Sequence, residues 1–139
     1  SFSFQEFSQR YADPTKDLDF VLREARLQDE KNRQNSIETD SKELRMEWDR
    51  HQRRVIWMVK EVYEWAIHNG IAKEQARAVL PEGLTTSRMY MNGTIRSWIH
   101  FIELRSANGT QKEHMEIARE CACAIAKIFP GVADYVKHL

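Results

Sequence analysis

The sequence predicts an α+β fold, mainly helical, in which two or three strands of a mixed or antiparallel sheet are flanked by long helices. Three observations carry this. Apolar residues recur at three- and four-residue steps between Ser41 and Gly70. A second pattern of that period runs from Thr110 to Pro130. The stretches "SFSFQEFSQRY" (1–11) and "GLTTSRMYMNG" (83–93) interleave aromatic or β-branched residues with polar ones, as strands do. The chain's 139 residues are enough for one core and too few for two, so a single domain over 1–139 is expected.

Residues 1–11 alternate with a period of two, which places Glu6, Ser8 and Arg10 on one side of an extended segment until Ala12-Asp13-Pro14 breaks it. In "DLDFVLREARL" the alternation of Leu18, Phe20 and Leu22 favours a strand over the helix that its Glu, Arg and Ala content allows. The polar run Gln28 to Ser36 reads as a solvated loop. Ser41 is the expected N-cap of a long amphipathic helix with Trp48, Val55, Val59, Val62 and Ala66 on its apolar stripe and a glycine stop at Gly70. Trp57, Met58, Tyr63 and Trp65 are expected to extend that packing. A shorter helix, "AKEQARAVL", stops at Pro81. After Asn92-Gly93, "TIRSWIHFIELR" reads as a helix with Ile95, Ile99 and Ile102 inward. The last long helix is expected to start at Thr110, in a capping box with Glu113. Its apolar stripe is Ile117, Cys121, Ala124, Ile125 and Ile128, and Pro130-Gly131 ends it before one more turn.

Lys plus Arg and Asp plus Glu both number 21, so there is no bulk basic field for nucleic acid, and an anionic ligand needs a local arginine cluster. The mid-helix "DRHQRR" (49–54) reads as a solvated face or subunit contact. No apolar run approaches a membrane span. Cys121 and Cys123, two apart on a helix, point to different faces and close neither a metal chelate nor an easy disulfide. They read as small buried residues in a reducing compartment, so a cytoplasmic location is expected and no metal site.

Four groups could bind an anion. Glu6-x-Ser8-x-Arg10 offers a hydroxyl and an arginine fork, and Glu6 can accept from a sugar hydroxyl or steady an arginine. An exposed strand with charged outward residues reads the same way. Arg77, before the Val-Leu-Pro stop, is either an anion ligand or a helix C-terminal charge partner. Arg96 and His100, four apart, share one helix face opposite the isoleucines, which suits an anionic or aromatic ring ligand or simply solvent. Arg105 ends the same helix and could merely offset its dipole. Spacing alone does not show whether the four meet.

In order, "SFQEFSQRY", "ARAVLP", "NGTIRSWIHFIELR" and "EHMEIA" resemble the flavin-dependent thymidylate synthase family, from Ser3 to about Phe129. The resemblance implies reductive methylation of dUMP to dTMP, with methylenetetrahydrofolate as carbon donor, NADPH as reductant, FAD as hydride carrier and no cysteine nucleophile. Glu6, Ser8, Gln9 and Arg10 match the family's dUMP-holding loop and strand, and Arg77 its phosphate-binding arginine. Arg105 matches the arginine that contacts and polarises the pyrimidine, the one catalytic assignment. Arg96 and His100 match positions lining the FAD site. The family is typically a homotetramer with sites shared between subunits.

There are three departures. "EHMEIA" lacks the common Ala-Gln-Trp before Glu-Ile, and the loop after Arg105 is longer. "RLQDEKNRQNS" resembles a variant loop of part of the family and has no assigned ligand. The signature Arg-His-Arg triplet that binds FAD would lie just before Ser1. The expectation is therefore the C-terminal portion of the catalytic domain, as an extein, a separately encoded half or a shortened chain would be. The missing N-terminal segment, present as a separate chain, is then an expected partner. The rival expectation is a non-catalytic half or helical oligomerisation module that binds nucleotide only once that segment is supplied.

Overall fold

A computed structural model describes residues 1–6, 19–107 and 109–135. The element order is β1 (Phe2–Glu6), β2 (Arg26–Gln28), β3 (Ser36–Glu38), α1 (Lys42–His68), α2 (Lys73–Ala76), a 3-10 turn (Arg77–Val79), β4 (Met89–Gly93), α3 (Ile95–Arg105), α4 (Lys112–Ala126) and a final 3-10 segment (Pro130–Tyr135). β1 pairs with β4 and β2 with β3, so the mainly helical α+β class holds. Two compact units divide the chain. One comprises Ser1–Phe4, Arg26–Glu38 and Met91–Leu139, and the other Gln5–Ala25 and Thr39–Tyr90.

In the first unit, Ile102, Ala122 and Val132 form the core, with Ile99, Phe101 and Ile125 packed on it. α3 begins where expected because the Thr94 hydroxyl accepts the Ser97 N–H at 3.3 Å. α4 differs from expectation. Its N-cap is Gln111, with no side-chain cap, and the Gln111 amide turns to Glu113 Oε2 at 2.9 Å, so Thr110 and Glu113 form no capping box. Its buried side is Ala118 and Ala122, whereas Ile117 and Ile128 are 59% and 75% exposed. Ala122 packs in the cluster with Ile102 of α3, where a small side chain lets two helices approach closely.

Within the polar run Gln28 to Ser36, residues 29–35 are the turn of an antiparallel hairpin whose register pairs Arg26 with Glu38 and Gln28 with Ser36. Asp29 Oδ1 accepts the Lys31 and Asn32 N–H groups, and Oδ2 accepts from Asn35 Nδ2. These bonds, Asn35 first, hold the Asp29 carboxyl below its ordinary value. The loop is thus built from its own side chains.

In the second unit, Ser41 Oγ caps α1 by accepting Leu44 N–H at 3.2 Å. At the other end Gly70 takes φ +75°, with Gly70 N–H to Ile67 O and Ile71 N–H to Ala66 O, a Schellman motif. Tyr63, Ala66 and Ala76 form the core, with Ile67 and Leu80. The expected stripe is mostly uncovered. Trp48, Val55 and Val62 are exposed, as are Trp57, Met58 and Trp65; of the expected packing residues only Tyr63 and Ala66 are buried. At about 1.5 Å per residue, α1 outruns its short neighbour α2, so one stripe finds cover at one end only. Of the strand expected over residues 17–27, residues 21–25 form none, Phe20 makes a single bridge to Thr85, and Arg26 and Leu27 open β2; residues 17 and 18 lie outside the described residues.

Candidate functional site

The second unit holds Glu6 and Arg77. Glu6 ends β1, and Ser87 Oγ donates to its Oε1 at 2.6 Å, a short charge-assisted bond that fixes the carboxylate. Beside it, Thr86 N–H and Oγ1 both donate to Asp19 O at 3.0 Å, and Val21 N–H donates to Leu84 O at 2.9 Å. Gln52 closes this arrangement: Arg23 N–H donates to its Oε1 at 2.7 Å, and its Nε2 donates to Arg23 O at 2.9 Å. Ser8, Gln9 and Arg10 lie outside the described residues.

Arg77 opens the 3-10 turn that follows α2, and its Nε donates to Glu74 O at 3.3 Å. The Leu80-Pro81 stop is structural: Pro81 O accepts Leu84 N–H, Thr85 N–H and Thr85 Oγ1. The exposed Arg77 guanidinium has no ion-pair partner among the described residues, which leaves its fork available to an anion.

The first unit holds Arg96, His100 and Arg105, all on α3 and all exposed. Arg96 and His100 are one turn apart and share a face. Arg105 lies five residues beyond His100, about 140° further round the axis, so one copy of α3 does not bring it to that face. Ser106, next to Arg105, is buried with its Oγ unpartnered among the described residues. Cys121 is half-buried, and burial, then Glu120, pushes its thiol up, which disfavours a thiolate nucleophile; Cys123 is exposed rather than buried. Among the described residues no three His, Cys, Asp or Glu gather to hold a metal, and no helix is long and apolar enough to cross a membrane.

A cleft of about 170 Å³ between the hairpin and the start of α4 is lined by Arg26, Glu38, Thr110 and Lys112, none of them an expected site residue. The sequence also gave no sign of Ser87, Thr86 or Gln52 as supports. "TTSR" reads only as strand propensity, and Gln52 lies inside the charged "DRHQRR" run while being 3% exposed.

A family model described as "thymidylate synthase complementing protein" matches residues 1–131. A probable flavin-dependent thymidylate synthase of Paramecium bursaria Chlorella virus 1 is 47% identical over 133 residues, 96% of this chain and 60% of the relative. A flavin-dependent thymidylate synthase of Synechocystis is 46% identical over 134 residues, again 96% and 60%. A crystal structure of a UMP/dUMP methylase from Streptomyces cacaoi bound with 5-Br UMP superposes with a TM-score of 0.74 at 26% identity, over 91% of this chain and 59% of that one. The chain thus spans about three fifths of the relatives it matches. By this match across nearly its whole length, the chain belongs to the thymidylate synthase complementing protein family, that of the flavin-dependent thymidylate synthases.

Proposed function

We propose that this chain forms part of an enzyme that converts dUMP to dTMP by reductive methylation. The observation that carries the reading is the 47% identity to a probable flavin-dependent thymidylate synthase over 96% of the chain. Bound FAD would supply the hydride chemistry, with NADPH as electron source and methylenetetrahydrofolate as carbon donor. The exposed Arg96 and His100 face fits such a group, since a cation beside an imidazole suits an anionic or aromatic surface. Arg77 holds the dUMP phosphate through its fork. Glu6, oriented by Ser87, accepts from the nucleotide, and Ser8, Gln9 and Arg10 complete the cradle. Arg105 lies against the pyrimidine and stabilises the negative charge that develops on the ring under attack.

The working form in this reading is a homotetramer whose sites combine residues of several copies, in the cytoplasm. Two features support sharing: the apolar residues left exposed along α1, and the different sides of α3 that carry Arg105 and the Arg96–His100 pair. The test is dTMP formation by the full-length protein given dUMP, methylenetetrahydrofolate, NADPH and FAD. Product is expected, and Arg77→Ala and Arg105→Ala should lower it by about 10²-fold or more. No product from flavin-loaded protein overturns the reading.

A further inference from the structure

We propose that Phe2 and Gly93 are a matched pair of positioning residues that set how α3 presents Arg96 and His100 to the flavin. The inference rests on the functional reading above and names residues that neither the resemblance nor the comparisons assign.

The Phe2 ring stands where a side chain at position 93 would be. A Cβ built on Gly93 would lie 2.4 Å from Phe2 Cδ1 and 2.6 Å from Cε1, far inside any real contact. Gly93 has no positive φ to explain the residue, so the requirement is space alone. The ring seated there meets Trp98 edge-on at 5.1 Å and Phe101 edge-on at 6.1 Å, and these two meet each other at 5.9 Å. Phe101 continues to His114 of α4 at 5.6 Å. Every one of these contacts lies within the first unit.

The geometry joins this cluster to the site. Trp98 is about 200° from Arg96 around α3, and Phe101 about 100° from His100. The rings therefore grip the side of the helix turned away from Arg96. A helix held from behind by stiff rings, each with a preferred edge-to-face geometry, has little freedom to roll. Arg96 and His100 have no ion pair or hydrogen bond among the described residues to fix them from the front. Their direction is accordingly set by what Phe2 does on the far side.

The experiment exchanges the pair in the full-length protein: Phe2→Ala, Gly93→Val, and the double variant Phe2→Ala/Gly93→Val. The readouts are the FAD dissociation constant and the melting temperature. Each single change is expected to weaken FAD binding about tenfold, one leaving a hole and the other expelling the ring. Valine suits a strand and refills the hole, so the double variant should recover to within about threefold of the parent. A double variant that melts like the parent yet binds FAD no better than the worse single variant overturns the pairing. Phe2→Leu serves if the alanine variants do not fold: it keeps apolar cover but loses the ring edges. Weaker FAD binding at an unchanged melting temperature supports positioning, and unchanged binding overturns it. A parent that binds no FAD removes the assignment of Arg96 and His100, and the positioning role with it.

Discussion

Gln52 is a buried polar anchor of the second unit. It is 3% exposed and bonds both backbone groups of Arg23, at 2.7 and 2.9 Å. Gln52→Leu keeps the volume and removes both bonds. A buried backbone group deprived of its partner costs about 1–3 kcal/mol, and with Arg23 half-buried some water returns, so about 2–3 kcal/mol in total is expected. For a domain of this size that is a fall in melting temperature of roughly 6–12 °C. Gln52→Glu sharpens the test. It still accepts the Arg23 N–H, but when ionised it opposes the Arg23 carbonyl, and burial raises its pKa further. A raised folded pKa means the contribution is present below the unfolded value and lost as pH rises through the folded one, so this variant should lose less stability at pH 4 than at pH 7. Thermal unfolding and amide exchange at Arg23 read both. If Gln52→Leu melts within about 2 °C of the parent and the Arg23 amide stays as protected, the anchoring argument is refuted.

Three further outcomes are expected. Ser87→Ala should weaken dUMP binding about fivefold by releasing Glu6, while Ser87→Thr keeps the hydroxyl and the affinity, as titration calorimetry would show. The Asp29 carboxyl is held below its ordinary value of 3.8, so its support of the hairpin is complete above that value and lost as pH falls through the lower folded one. Exchange at the Lys31 and Asn32 amides should rise in acid, and Asp29→Asn should abolish that pH dependence. Gly70 takes φ +75° with open space around it, so Gly70→Ala should cost about 1–2 kcal/mol from backbone conformation alone, and Gly70→Asn less, as denaturant titration would measure.

Much of the fold was legible because its signals are local. Ser41, Thr94 and Gly70 cap helices through bonds to residues within five positions; the sequence names Ser41 and Gly70, and it places the start of α3 at Thr94 without marking it as a cap. The failures are those of periodicity without a neighbour. The Trp48, Val55 and Val62 stripe says what α1 can cover, not what stands against it, and all three are exposed. On α4 the buried residues are Ala118 and Ala122 rather than larger ones, a choice no apolar count reveals. Thr110 reads as a cap by spacing, yet the Gln111 amide reaches Glu113 instead.

The candidate site divides the same way. Glu6, Arg77, Arg96, His100 and Arg105 were all singled out from the sequence, since arginine and imidazole at helical spacing can be read one element at a time. Their supports could not be. Ser87 is 81 residues from Glu6, and Gln52 is 29 from Arg23. Gly93 reads as half of an Asn-Gly turn, and only the Phe2 ring in its place shows why no side chain is there.

The most direct test of the account is flavin retention. The full-length protein is incubated with FAD and dUMP, free ligand is removed and the visible absorbance is read for the parent, Arg96→Ala and His100→Ala. Retained flavin is expected in the parent and its loss in both variants at an unchanged melting temperature, since both side chains are exposed. A parent without flavin, or variants that keep it as the parent does, would contradict it.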